Sequence, residues 1–439
     1  MRILWLCNIM LPAIAEKLHK EYSVREGWLT GTFRRLTEEE PQDQIALAVC
    51  FPVSEEWKEF HQTLDFPKRK VECYGFEEDL SHPEKYDQSM EIRLAEIIRD
   101  FKPDIVHIFG TEFPHALAMT KAFPHPEKIL VGLQGIIGDC AKVYQAGLPA
   151  KVVNRRTFRD LLKQDGILQQ QEKFRKRGEF EKQTIAFAGN VTGRTSFDKE
   201  AAYQMNPDVT YYAMNETMRP CFYTDKWEKE YCRAHRIFVS QADYPLKGFH
   251  FLLKALPKIK LHYPDTEVVV AGNSIVRYQS LKDKIKISSY GKYLRSYMEE
   301  WELDKTITFT GPLSAEEMKE QYLSCNTFVC PSVLENSPNS VAEARLLGVP
   351  VVASNVGGIP SMITDREDGL LFASGDSEQL ADCITELWGN DALSVKISDA
   401  ARARAHKMHD ADENYSRLLE IYREILEKGT ACDENYHDQ

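Results

Sequence analysis

Short aliphatic runs alternate with longer stretches of helical period along almost the whole chain, and this alternation restricts the fold more than any other feature. The first series is Arg2–Cys7, Gln44–Cys50, Asp104–Ile108, Ile129–Leu133, Thr184–Ala188 and Val209–Ala213. A second follows the polar stretch Thr224–His235: Ile237–Ser240, Glu267–Ala271, Thr306–Thr310, Thr327–Cys330 and Val349–Ala353. These runs are apolar without strict alternation, as strands buried on both faces of a parallel sheet must be. The helical patterns between them suit crossover connections. Two doubly wound, Rossmann-like α/β domains follow, residues 1–235 and 236–410. Beyond them, Leu418, Leu419, Ile421, Tyr422, Ile425 and Leu426 recur at helical spacing, which predicts a helix within residues 411–430.

Composition narrows the function. With 43% hydrophobic and 28% charged residues in 439, the chain has material for more than one core and is not disordered. A formal charge of −12 argues against nucleic-acid binding, which needs a positive surface. Ten cysteines without a C-x-x-C pair read as reduced thiols in the cytoplasm. The apolar start is too short for a signal peptide, and no run approaches the ~20 residues needed to cross a bilayer.

The most informative stretch is Pro331-Ser-Val-Leu-Glu335-Asn-Ser-Pro-Asn-Ser-Val-Ala-Glu343. A strand ends, a polar turn follows, and a helix begins near Pro338–Ser340. Open α/β sheets bind ligands at the carboxyl ends of their strands, and a fresh helix offers unpaired N–H groups to a phosphate. Pro338 has no N–H, so Asn339 and Ser340 are the candidate donors. The carboxylates Glu335 and Glu343 would suit sugar and ribose hydroxyls. Ser340-x-x-Glu343 taken alone reads better as a capping box. Lys247-Gly248 opens a second strand-loop-helix unit, where an ammonium could lie over a diphosphate and glycine permits close approach; a solvated lysine is the plain alternative. Gly27-Trp28-Leu29-Thr30-Gly31 is a phosphate-facing loop or an ordinary turn. Asp410-Ala-Asp412 fits a helix end better than a metal site, and His406 and His409 fit a solvated face.

In combination these elements resemble the donor half of the family 4 retaining glycosyltransferases over roughly residues 236–390. The resemblance runs through Lys247-Gly248, Glu267-Val-Val-Val-Ala-Gly272, Cys330-Pro-Ser332, Glu335-x7-Glu343, Gly348-Val-Pro-Val351, Gly357-Gly358-Ile-Pro360 and Gly369-Leu-Leu-Phe372. It implies a GT-B fold: two Rossmann-like domains facing a cleft, with a C-terminal helix crossing back to the first domain. It further implies transfer of a sugar, with retained configuration, from a nucleotide-sugar donor to a glycan or lipid-linked acceptor. No metal or other cofactor is expected, and base and sugar stay open. Glu335 and Lys247 are the implied catalytic residues. Gly27, Gln241, Lys247, Gly248, Ser337, Asn339, Ser340 and Glu343 would bind the donor, and Glu112, Gln134 and Arg194 would lie on the acceptor side. Val191–Asp198 and Asn215–Tyr223 are similar to a bacterial polysaccharide-assembly subset.

Three departures stand out. Ser240-Gln241 replaces a common Gly-Arg, Leu133-Gln134-Gly135 replaces a common His, and Ser361 replaces a common Glu. Arg194 and Arg219 are the candidates to compensate for the missing arginine. The rival readings are a phosphorylase or epimerase on the same fold, and a non-catalytic sugar-nucleotide-binding partner.

Residues 151–182, expected between two strands of the first domain, hold ten Lys or Arg and five Asp or Glu. Phe158, Leu161 and Leu162 share a helical face flanked by Arg155, Arg156, Arg159 and Lys163. This suits either peripheral contact with the inner face of an anionic membrane or a helix whose apolar stripe packs on the sheet.

Overall fold

The computed structural model describes residues 1–20, 27–38, 44–278 and 280–437, and its chain divides into two compact units. The first comprises Met1–Asp139, Lys173–Met218 and the segment from His409 on. Its sheet contains β1 (Arg2–Leu6), β2 (Ala46–Val53), β3 (His61–Asp65), β4 (Lys70–Glu77), β5 (Ile105–Phe109), β6 (Ile129–Gly132), β7 (Asn190–Gly193) and β8 (Thr210–Ala213). Strand order is β3-β4-β2-β1-β5-β6-β7-β8, parallel except for the β3–β4 pair. The central strands are buried throughout, as Ile3, Leu4, Trp5 and Leu6 illustrate.

The second unit comprises Cys140–Glu172 and Arg219–Met408. Its strands are β9 (Arg236–Val239), β10 (Glu267–Val270), β11 (Ile307–Phe309), β12 (Thr327–Cys330), β13 (Val351–Ser354) and β14 (Leu370–Phe372). They form an all-parallel sheet in the order β11-β10-β9-β12-β13-β14. Order reverses between β1 and β5 in the first sheet and between β9 and β12 in the second. Such a reversal is where doubly wound folds place ligands.

The units part before Arg219 rather than after His235, because the connecting stretch packs on the second sheet. Trp227 donates from Nε1 to Cys325 O at 2.8 Å and from its backbone N–H to Leu347 O at 2.7 Å. Residues 140–172 also join the second unit, so much of the basic 151–182 segment does not lie with the first-domain strands that flank it in sequence. The expected strand Thr184–Ala188 is the end of helix Ile167–Phe187, where Thr184 Oγ1 bonds back to Phe180 O at 2.9 Å. Helix Ala411–His437 belongs to the first unit: Tyr422 Oη accepts from Trp5 Nε1 at 2.9 Å and lies 2.8 Å from His107 Nδ1. Among the described residues no helix is long and apolar enough to cross a membrane, and none of the nine cysteines whose side chains are described is in a disulfide.

Candidate functional site

At the reversal point of the second sheet, the loops after β9 and β12 are clipped together by a hydrogen bond from Val333 N to Leu246 O of 2.7 Å. Gly248 ends the first loop at φ +64°, and a Cβ there would lie 1.8 Å from Pro331 O. Only glycine fits such an approach in the left-handed region. The turn sets Lys247 against Glu335: Nζ and Oε1 are 2.7 Å apart, and Ser332 Oγ donates to the same oxygen at 2.8 Å. Glu335 is held from behind as well, its carbonyl accepting from Gly358 N at 3.0 Å. Burial alone would lower the Lys247 pKa, but the Glu335 carboxylate and Tyr244 outweigh it and hold the ammonium well above its usual range. The two side chains keep 20% and 15% of their surface open, so the pair is within reach of a ligand.

Helix Asn339–Leu347 starts beside this pair. Its N-cap is Pro338, not Ser340, and no side chain caps it. The capping-box reading therefore fails. Glu343 instead accepts from Arg219 Nη2 at 2.6 Å and from Tyr322 Oη at 3.2 Å. Burial raises its carboxyl pKa against the opposing pull of Arg219 and Tyr322. Arg219 is thus committed to Glu343, a pairing the sequence did not suggest. Asn339 and Ser340 open the helix with backbone N–H groups in its first turn, and Ser337 and Gln241 lie half-buried in the adjoining loops. Gly27 does not stand in a loop: it begins helix Gly27–Glu38 of the first unit.

At the reversal point of the first sheet, Asn8 follows β1 and Glu112 follows β5. Asn8 Nδ2 donates to Glu112 Oε2 at 3.0 Å, and Gly135 N donates to Oε1 at 3.3 Å. Asn8 Oδ1 lies 2.9 Å from His115 Nε2, whose Nδ1 is 2.5 Å from Glu78 Oε2. Next along the same edge, Glu216 Oε1 takes Arg194 Nη1 at 2.7 Å and Gln134 Nε2 at 3.0 Å, while Arg194 Nη2 bonds Gln134 Oε1 at 3.1 Å. Burial raises the Glu216 pKa, with Arg194 acting against it. Gln134, Arg194, Glu216, His107 and Asn215 line a pocket there. Glu112, Gln134 and Arg194 therefore gather at one edge. Asn8, His115 and Glu216 were missed, although Asn8 and Glu216 lie just beyond strand ends, the position the fold itself marks, and His115 opens the helix that follows β5. Glu181, also missed, accepts from Thr111 Oγ1 and from the N–H groups of Ile137 and Gly138, and burial pushes its pKa up to about 7.

Asp410 caps the C-terminal helix, accepting from Asp412 N at 3.0 Å and Glu413 N at 2.9 Å. His409 is buried on Glu216 O, and His406 is half-buried with Nε2 3.2 Å from Leu346 O, so neither forms a solvated face. Among the described residues, one trio has the geometry to hold a metal, His61, Glu72 and Asp100 on the edge of the first sheet; Tyr74 Oη already joins its two carboxylates at 2.8 Å each.

Residues 230–404 match the family model described as glycosyl transferases group 1. Among curated relatives, a D-inositol 3-phosphate glycosyltransferase of Corynebacterium urealyticum is 26% identical over 186 residues, 41% of each chain. The chain thus spans about two fifths of that relative's length. Sucrose-phosphate synthase from Thermosynechococcus elongatus superposes with a TM-score of 0.66, at 14% identity over 98% of this chain and 100% of its own. Anabaena HepE, solved with UDP and glucose, gives 0.62 at 15% identity over 97% and 100%. The structural likenesses give the fold, two parallel-sheet α/β domains of the GT-B kind. The sequence match, over residues 230–404, makes that stretch similar to the glycosyl transferases group 1 family.

Proposed function

We propose that the chain is a retaining glycosyltransferase that moves a sugar from a nucleotide-sugar donor to a glycan or lipid-linked acceptor in polysaccharide or glycoconjugate assembly. The observation that carries the reading is the Lys247–Glu335 pair, partly open at the reversal point of the second sheet and beside an uncapped helix start. Departure of a nucleoside diphosphate builds negative charge on its leaving oxygen. Lys247 and the N–H groups of Asn339 and Ser340 would stabilise that charge, with Gly248 allowing the backbone close and Gln241 and Ser337 lending polar contacts. Glu335 would turn from Lys247 toward sugar hydroxyls. A carboxylate oxygen accepts more than one hydrogen bond, so Glu343 would bind ribose hydroxyls while keeping Arg219 and Tyr322. Glu112 and Gln134 would serve the acceptor, with Arg194 on the same side holding Gln134 in place from its pairing with Glu216. The reading invokes no metal, so turnover should survive dialysis against EDTA.

We place the enzyme in the cytoplasm, touching an anionic membrane through residues 151–182. The test of the transfer reading is a thermal-shift screen of UDP-, GDP-, ADP- and dTDP-sugars, followed by NMR of the product's anomeric centre. A saturating donor should raise the Tm. Inverted configuration would overturn retention, and donor consumption independent of any acceptor would favour a phosphorylase or epimerase.

A further inference from the structure

Helix Phe158–Lys163 does not bury its apolar residues. Phe158 is 64%, Leu161 57% and Leu162 76% exposed. The helix is nevertheless firmly seated, because Asp160 is fully buried. It closes a capping box with Thr157 and accepts from Ser289 N at 2.9 Å. The apolar side chains therefore point outward from a fixed support. Helix Leu281–Lys286 packs against it, with its own capping box from Ser280 and Asp283. It repeats the pattern, Leu281 being 80% and Ile285 53% exposed.

Basic residues surround these five side chains. Arg156, Lys163, Lys282, Lys284 and Lys286 are exposed. The nearby acids are engaged elsewhere: Asp160 and Asp283 cap helices, and Asp165 pairs with Arg159 at 2.8 Å. A cationic, apolar patch on a chain of net charge −12 calls for an anionic partner with an apolar interior. Lysines and arginine stand among these five apolar side chains, unlike the charge-depleted, aromatic-rich core of a protein interface. A lipid surface suits them better, since each basic residue adds its own attraction to the headgroups.

We infer that helices Phe158–Lys163 and Leu281–Lys286 together form the surface by which the protein docks on an anionic bilayer, the apolar residues entering the headgroup region. The inference rests on the membrane contact proposed above and names its surface, adding a helix outside residues 151–182. It is independent of the sugar chemistry.

The experiment is flotation of the full chain with vesicles of phosphatidylcholine, alone or with roughly a quarter phosphatidylglycerol. Two variants accompany it, Leu161→Gln with Leu162→Gln, and Lys282→Gln with Lys284→Gln and Lys286→Gln. Wild type should float with anionic vesicles only, and high salt should release it. Each variant should lower the bound fraction at least roughly tenfold at unchanged Tm. Wild type that stays behind with every vesicle overturns both the contact and its surface. Variants that float like wild type overturn this surface alone and leave the contact to another part of the chain. A dimer in analytical ultracentrifugation that both variants abolish, with no flotation, reassigns the patch to a second copy. Donor turnover measured on the same variants with a soluble acceptor should not change, which separates this outcome from that of the transfer reading.

Discussion

The two sheets reverse strand order at equivalent places, yet the charges there are kept differently. In the second unit, a lysine and a glutamate hold each other across 2.7 Å while retaining 20% and 15% of their surface. In the first, Glu112 rests on the neutral amide of Asn8, and the nearest full ion pair, Arg194–Glu216, is only 6% exposed on either side. A pair partly open to solvent can exchange its partner for a ligand at lower cost than a sealed one, because water or ligand groups replace what is lost. A desolvated pair cannot, since separating it leaves a charge without compensation. The same topology therefore presents one pair suited to chemistry and one suited to architecture.

The comparison is tested most severely at the buried pair. Arg194→Gln should cost about 3–5 kcal/mol of stability, because Glu216 remains buried with only Gln134 beside it. Arg194→Met combined with Glu216→Leu should cost less than the single change, as apolar replacement of a buried pair usually does. Urea unfolding of both variants checks this. A single variant within about 1 kcal/mol of wild type would show that the pair is not structural.

At the open pair the order of effects should reverse. Lys247→Ala and Glu335→Gln should each lower kcat/KM at least roughly 10²-fold, about 3 kcal/mol of transition-state stabilisation. Lys247 also orders Glu335, so its loss should lower the Tm by a few degrees rather than not at all. Steady-state kinetics on the donor found by the ligand screen reads the first effect. Equal losses of stability and little loss of rate would make the two pairs alike.

Glu343 lies between these cases, buried like Glu216 but beside the open pair. Glu343→Gln should weaken nucleoside diphosphate binding and cost about 1–2 kcal/mol of stability, since Arg219 loses a charged partner. Calorimetric titration alongside urea unfolding separates the two. Unchanged affinity would confine Glu343 to holding Arg219.

How much of this was legible follows the same division. Apolar runs marked β1, β9, β10, β12 and β13, because strands buried on both faces need no alternation. β3 and β4 were missed: His61–Asp65 is an exposed antiparallel edge, and Lys70–Glu77 alternates with Lys70, Glu72 and Glu77 among its apolar residues. Thr184–Ala188 misled because Thr and Ile carry strand propensity, which the long helix overrides. Lys247, Glu335 and Glu343 were singled out by the order of motifs along the second unit and the resemblance it carries, since taken alone Lys247 read as a solvated lysine and Glu343 as a cap. The Arg219–Glu343 and Arg194–Glu216 pairs were not, since partners brought together by folding, in the first case 124 residues apart, leave no local pattern. Ser340 and Glu343 show the opposite failure, a local pattern with the spacing of a cap that the tertiary partners of Glu343 overrule.

The mildest test uses one buried histidine from each unit. Burial lowers the pKa of both His107 and His250 to about 3 from the ordinary 6.5. His107 faces Tyr422 Oη at 2.8 Å and stacks on Phe109; His250 lies 3.1 Å from Tyr290 Oη and feels the Lys254 charge. Below pH 6.5 the unfolded chain takes up a proton at each position that the folded chain refuses. Folding stability should therefore be fully present above pH 6.5 and fall as the pH drops toward 3, by about 1.4 kcal/mol per pH unit for each histidine. His107→Gln should flatten this slope by one proton, and His250→Gln by another. Scanning calorimetry between neutral and mildly acidic pH reads the difference. If the two units unfold separately, each substitution should act on the transition of its own unit only. If both substitutions shift a single common transition, the units share one cooperative unfolding, and the contrast between the pairs is one of exposure within a single folding unit.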